Sequence, residues 1–354
     1  MSDNSKIEWT DATWNPVTGC SVVSPGCTNC YAMGLAGTRL RNHPSRAGLT
    51  IDTKAGPVWN GQVRLNEDWL TQPLKWRRPR MIFVCAHGDL FHEAVPDEWI
   101  DRVFAVMALS PQHTFQVLTK RAKRMRKYLS AKRSRVVWEQ ACEIAVEADA
   151  DVLLCGPMGD PPDGLPGRRV DVGKWPLPNV WLGVSAEDQT RADERVPDLL
   201  ATPAAVRFVS AEPLLVPIDF SRIKAPADPH APGEEWFFDA LTAGDYYLFD
   251  AGRDAVTGKQ FWDSGDGPWH ERLDWIIVGG ESGRDARPMH PDWPRAIRDQ
   301  CAAAGVAFFF KQFGEFAPDD DAPGAHTAMR RVGKARAGRI LDGRTHDDTP
   351  QRSA

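Results

Sequence analysis

Short apolar runs that end in polar residues, each followed by a stretch with helical spacing, recur along most of this chain. Met81-Ile82-Phe83-Val84-Cys85 runs into Ala86-His87-Gly88-Asp89, and a helix is expected from Pro96-Asp97-Glu98, with Trp99, Ile100, Val103, Phe104 and Met107 on one face. Thr114 to Leu118 runs into Thr119-Lys120-Arg121 and a basic helix. Val180 to Val184 runs into Ser185-Ala186-Glu187-Asp188 and a charged helix through Arg195. Val206 to Val209 ends in Ser210-Ala211-Glu212-Pro213, and Trp275 to Val278 ends in Gly279-Gly280-Glu281-Ser282-Gly283. Val306 to Phe310 ends in Lys311-Gln312, after a helix that starts near Asp292-Trp293-Pro294 and stops at Gly305.

Nearly all-apolar strands alternating with helices predict a parallel sheet covered on its faces. The expected fold is α/β, a full or partial (β/α) barrel of mostly parallel strands. No G-x-G-x-x-G follows the first strand, so a dinucleotide-binding half is disfavoured. The barrel-like domain is expected over residues 1–318, with insertions at about 130–178 and 221–272, the second β-rich, and a polar, loosely packed extension over 319–354. Tyr31 to Arg41 has helical spacing, and Asn42 to Pro79, rich in Gly, Pro and Trp, is expected to be a long irregular connection. In a barrel the strand ends would bring His87, Asp89, Lys120, Arg121, Ser185, Glu187, Glu212, Glu281 and Lys311 to one rim.

The 354 residues have the composition of an ordinary globular protein, apart from 14 Trp, and a formal net charge of -5 argues against a uniformly basic nucleic-acid coat. Met1 to Lys6 lacks the apolar core of a signal peptide, and no apolar run reaches membrane-spanning length, so a cytoplasmic protein with no membrane partner is expected. In a reducing compartment a tight cysteine cluster indicates metal or redox chemistry before disulfides. Cys85, Cys142, Cys155 and Cys301 stand alone and are expected to be small buried apolar residues.

The chemistry concentrates in Cys20, Cys27 and Cys30, spaced C-x6-C-x2-C in a loop rich in Gly and Pro. Thiolates suit zinc or an iron-sulfur cluster. Zinc usually takes four ligands, and no fourth Cys or His lies in this loop, whereas a cluster held by three thiolates keeps one metal position open.

Trp14-Asn15-Pro16 through Gly19-Cys20, then Gly26-Cys27-Thr28-Asn29-Cys30-Tyr31-Ala32, are followed by Asp89-Leu90-Phe91-His92-Glu93 and Leu118-Thr119-Lys120-Arg121. Further on come Trp181-Leu182-Gly183-Val184-Ser185, Phe208-Val209-Ser210-Ala211-Glu212-Pro213-Leu214 and Val278-Gly279-Gly280-Glu281-Ser282-Gly283. Taken together, these motifs resemble the phage gene product 37/68 family, which looks like an outlying branch of the radical S-adenosylmethionine enzymes. The resemblance implies a [4Fe-4S] cluster on Cys20, Cys27 and Cys30, with S-adenosyl-L-methionine as the second cofactor. It implies reductive cleavage of that cofactor to a 5'-deoxyadenosyl radical, which starts hydrogen abstraction from a substrate that the residues do not identify. The sequence departs from the usual C-x3-C-x2-C in its six-residue first gap. It also departs at Asn29, which stands where an aromatic is common, so Tyr31 is the candidate for stacking on adenine.

Glu212 and Glu281 could receive the cofactor's ammonium or ribose hydroxyls, or pair with Lys120, Arg121 or Lys311. Ser185 and Glu187 could touch the ribose, or simply start a helix. Gly279-Gly280-Glu281 spells the radical enzymes' cofactor triplet but falls too late in the chain to carry that role, and its glycines suit a tight turn or a close backbone approach. His87 and His92 flank Asp89 and suit proton transfer, metal binding or a structural role. Arg77, Arg78 and Arg80 beside Trp76, and Lys120, Arg121 and Arg124 in the later basic run, form either solvated, ion-paired faces or a nucleic-acid contact. A metal-stabilised protein, on zinc or a passive cluster, that binds nucleic acid or a partner is the alternative to an enzyme. The resemblance also implies a three-Cys-motif partner protein.

Overall fold

The computed structural model describes residues 5–131, 133–148, 152–155, 168–171, 174–226, 236–243, 247–253, 260–264, 271–319 and 328–350. Seven strands form the main sheet: β1 (Ala12–Trp14), β2 (Met81–Val84), β3 (Thr114–Thr119), β4 (Val180–Ser185), β5 (Val206–Ala211), β6 (Trp275–Gly279) and β7 (Ala307–Gln312). They are hydrogen-bonded in chain order, β1 to β7, with no reversal. The β1/β2, β2/β3, β5/β6 and β6/β7 pairs are parallel, with Ala12 opposite Ile82, Ile82 opposite Phe115, and Ile276 opposite both Val209 and Phe308. A doubly wound dinucleotide fold reverses its strand order at a switch point, and this sheet does not. Among the described residues β1 and β7 are not paired, so of the full and partial forms expected the strand order fits the partial one.

The chain divides into two compact units, Met1–Gly183 with Thr202–Val206, and Val184–Ala201 with Arg207–Ala354. In the first unit, Ile82, Val84, Phe115 and Val117 are fully buried. Helix α1 spans Tyr31–Gly37, α2 spans Asp97–Ala108, α3 spans Ala122–Leu129 and α4 spans Ser134–Glu147. Helix α2 buries Ile100, Val103, Phe104 and Met107 on the face its spacing predicts. Pro96 precedes its first turn, where Asp97 and Glu98 oppose the helix dipole favourably. The expected helix from Tyr31 to Arg41 stops early, at Gly37, where an added Cβ would lie 2.0 Å from the Pro57 ring. The expected irregular connection over 42–79 also proves structured. Thr50–Thr53 pairs antiparallel with Gly56–Trp59, and Arg64–Leu65 pairs with Val17–Thr18. These pieces are too short to leave a periodic signature.

In the second unit β6 is buried along its whole length, and Phe208, Trp275 and Phe310 are among the largest fully buried side chains. Helix α5 (Gln189–Leu200) begins at Asp188, whose carboxylate accepts from the Arg191 N–H at 2.7 Å. Helix α6 (Asp292–Ala304) ends at Gly305 in a left-handed conformation, φ 65°, as its sequence predicts. Residues 221–272 contain a four-stranded antiparallel sheet, the β-rich character expected of them. The expected loose packing of the tail is corrected. Met329–Arg331 pairs with Phe316–Pro318, Leu341 is fully buried, and Phe310 N–H donates to His346 O at 2.9 Å.

Candidate functional site

The cysteine loop leaves the first unit's sheet through Gly19, which forms a parallel bridge with Gly88 and donates its N–H to His87 O at 3.2 Å. At φ 96° and with Gln62 O only 2.2 Å from any added Cβ, position 19 accepts glycine alone. The Cys20 carbonyl accepts from Gly61 N–H, a 3-10 turn spans Pro25–Cys27, and Cys30 is the cap from which α1 starts. Cys20 and Cys30 both pack against the cluster of Ala32, Met33, Ala36, Leu49 and Trp59. Cys20, Cys27 and Cys30 are half-buried free thiols.

Arg121, at the end of β3, holds the front of this loop. Its side chain is 5% exposed and pairs with Asp89 Oδ2 at 3.0 Å and Glu93 Oε2 at 3.1 Å. Nη1 also donates to Cys20 Sγ at 3.5 Å, and Nη2 donates to Ser21 Oγ at 2.7 Å. Asp89 is fixed in turn by the Thr119 hydroxyl at 2.7 Å and by the N–H groups of Phe91 and Lys120. Burial works against the Arg121 charge, but Asp89, Cys20 and Glu93 hold it firmly protonated. Burial, reinforced by Asp89, pushes the Cys20 thiol up to about 12, against the pull of Arg121.

His92 Nδ1 accepts the Ala94 N–H at 3.1 Å, and burial followed by Arg121 lowers its pKa. The neutral ring therefore carries its proton on Nε2 and donates to Ser21 Oγ, 2.9 Å away. It has no lone pair to take a proton from Ser21, so this is a structural pair and not a nucleophile with its base. Tyr31, 54% exposed as a residue, anchors its hydroxyl on Ala86 O at 2.8 Å with its ring edge-on to His87 at 5.8 Å.

Ser185, Glu187, Glu212, Glu281 and Lys311 lie in the second unit, and each of the three glutamates has a basic partner. Glu187, fully buried, accepts from Arg195 at 3.0 Å, and Arg195 also donates to the Ser185 carbonyl. Glu212 pairs with Lys311 at 2.5 Å, one of the three partners its alternative reading offered, and Glu281 is held by Arg287 through Nη2 at 2.6 Å, Nε at 2.9 Å and the backbone N–H. Glu281 thus takes a basic partner six residues away in the chain. The glycines before it serve close approach, since a Cβ on Gly280 would lie 2.1 Å from Phe313 O.

Half of the expected nucleic-acid contact is occupied within the protein. Arg121 is buried, Arg124 pairs with Asp97 at 2.9 Å, and Arg80 lies over the buried Trp76 at 4.8 Å. Arg77 and Arg78 are exposed, but Trp76 is sealed away from any base. Of the isolated cysteines, Cys85 and Cys301 are buried as expected, and Cys142 and Cys155 are half-buried. Sequence reasoning missed Arg46, Arg195 and Arg287, which carry no local motif.

The donor set of the loop suits a soft metal centre: three free thiols on one loop, with no His or further Cys in it. The fit is one of donor chemistry alone, because no three His, Cys, Asp or Glu side chains among the described residues are gathered as a metal site.

Fold and loop define a class, a mixed α/β protein with a parallel sheet wound in chain order and a three-thiol loop after its first strand. Within it the chain belongs to the family described as "Protein of unknown function (DUF5131)", which matches residues 4–350. Searches of curated proteins and of solved structures found no match. No helix among the described residues is long and apolar enough to cross a membrane.

Proposed function

We propose that this chain is an iron-sulfur enzyme of the radical S-adenosylmethionine type, as its resemblance to the phage gene product 37/68 family implies. The observation that carries the reading is the loop itself, three free thiols at the exit of the first strand of a parallel sheet, with a buried guanidinium 3.5 Å from the first. Cys20, Cys27 and Cys30 would hold the cluster. When bound, it would supply the electron that cleaves S-adenosyl-L-methionine.

The chain's own contribution is positioning. Arg121 ties Cys20 and Ser21 to the ends of β2 and β3 through Asp89 and Thr119, and its fixed charge suits an anionic thiolate set. Tyr31 is exposed one residue after Cys30, with its hydroxyl held by Ala86 O, and its ring would stack on adenine. The reading does not rest on Glu187, Glu212 or Glu281, which already have basic partners in the second unit, and the Ser185 hydroxyl would remain a ribose contact.

Anaerobic purification, iron and sulfide analysis, and an assay for 5'-deoxyadenosine under reduction test the reading. About four irons per chain and release of 5'-deoxyadenosine, both lost in Cys27→Ala, are expected. Stoichiometric zinc, or a cluster that never cleaves the cofactor, would sink the enzymatic reading and leave a metal-stabilised binding protein.

A further inference from the structure

Arg46 is 4% exposed and forms no ion pair among the described residues. Nη1 donates to Ser45 Oγ at 2.7 Å and to the Ser45 carbonyl at 3.3 Å, while Nε is sealed from solvent with no hydrogen-bond partner. The Trp69 ring, 5.9 Å from the guanidinium carbon, returns only about 0.5–2 kcal/mol. An uncompensated buried ion costs several kcal/mol, and arginine does not escape that cost by losing its proton near neutral pH.

A second sealed group lies in the same region. His87 Nδ1 is buried with no hydrogen-bond partner, and the strand Val17–Thr18 and its successor Gly19 connect it to Arg46. Thr18 Oγ1 donates to the Ser45 carbonyl at 2.7 Å, and Gly19 N–H donates to His87 O at 3.2 Å. The Arg46 charge reaches His87, Cys85 and Tyr31, and Arg64, which uses its guanidinium on the carbonyls of Pro44 and Ala47, adds a second positive charge close by. Two cations and a sealed imidazole nitrogen, with no ion pair at either arginine among the described residues, make a region of positive potential short of one anion.

We propose that Arg46, with the Nδ1 edge of His87 and the added charge of Arg64, binds a small ligand through a phosphate or carboxylate group. A guanidinium matches either group with two parallel N–H donors. The inference uses none of the three loop cysteines, so it stands whether or not the iron-sulfur reading does.

The test uses the full chain, stripped of metal by a chelator and titrated at constant ionic strength with inorganic phosphate in one arm and succinate in the other. Calorimetry reads affinity, and thermal melting reads stability. Saturable binding is expected in at least one arm, and which arm responds separates a phosphate-bearing ligand from a carboxylate-bearing one. Arg46→Met should weaken it about tenfold or more, since hydrogen bonds to charged groups are worth about 1.5–3 kcal/mol, and His87→Ala should weaken it less. The ligand-free Arg46→Met protein should also melt higher than wild type, because the substitution removes an uncompensated buried charge. No saturable binding in either arm, or equal binding by wild type and Arg46→Met, overturns the proposal. Should Arg46→Met fail to fold, wild-type affinity in His87→Ala overturns it, and weakened binding there sustains it.

Discussion

His87 is half-buried among positive charge, and burial together with Arg46 lowers its pKa from 6.5 to about 4. Between these values the unfolded chain takes up a proton that the folded chain refuses. Stability is therefore fully retained above about 6.5 and falls as pH drops toward about 4. The loss is at most about 3 kcal/mol, less solvent screening at a half-buried ring. Urea midpoints at pH 7 and pH 5 should differ more in wild type than in His87→Gln, and equal differences would rule the residue out as the cause. Arg121 works in the opposite sense, because here the charge is paired. Arg121→Met strands Asp89 in the interior and should cost about 3–5 kcal/mol. Arg121→Lys keeps the charge but loses the fork, and should cost less. Hydrogen exchange over residues 19–30 should rise in both variants, and unchanged protection of that loop would show that Arg121 does not hold it.

Strands β2 to β7 were legible because each is a short apolar run closed by polar residues, whereas β1, Ala12-Thr13-Trp14, is too short and mixed to be one; α2, α5 and α6 were legible because their spacing and their end residues agree. Helix α1 was overpredicted because what ends it is Pro57, packed against Gly37 from a distant hairpin, and spacing does not register such a contact. In the site, Arg121 was visible as a polar strand end, whereas Arg46 lies in a stretch whose two-to-four-residue strands carry no period. Gly279-Gly280-Glu281 shows how a motif and its packing can diverge. The turn it forms after β6 lies against residues 312–315 after β7, with Gly280 N–H donating to Gln312 O and Glu315 N–H donating to Glu281 O. Gly280→Ala should force the Phe313 backbone away and cost about 1–3 kcal/mol in urea unfolding with no ligand present. A stability equal to wild type would show that the close approach does not need a glycine at this position.

The polar C-terminal residues complete the sheet that the apolar runs begin. β7, Ala307-Phe308-Phe309-Phe310-Lys311-Gln312, is the last strand in the order, and an apolar strand there would present unpaired backbone groups as a template for other chains. The tail occupies that edge. Phe309 bridges Asp347, Phe310 N–H donates to His346 O, Asp348 N–H donates to Phe308 O at 3.3 Å, and Phe313 N–H donates to Gly338 O at 3.2 Å. Leu341, fully buried, anchors the segment, and Arg295 and Arg298 of α6 both pair with Asp342 next to it. Hydrophobic content gave no sign of this, because the segment stabilises the sheet mainly through backbone hydrogen bonds and one leucine. A chain ending at Pro318 should therefore lose hydrogen-exchange protection over residues 307–312 and elute as oligomers or aggregate on size exclusion, while a chain ending at Pro350 should match the full chain on both measures. A monomeric chain ending at Pro318, with β7 still protected, would mean that the edge needs no cover and that the tail only rests on it.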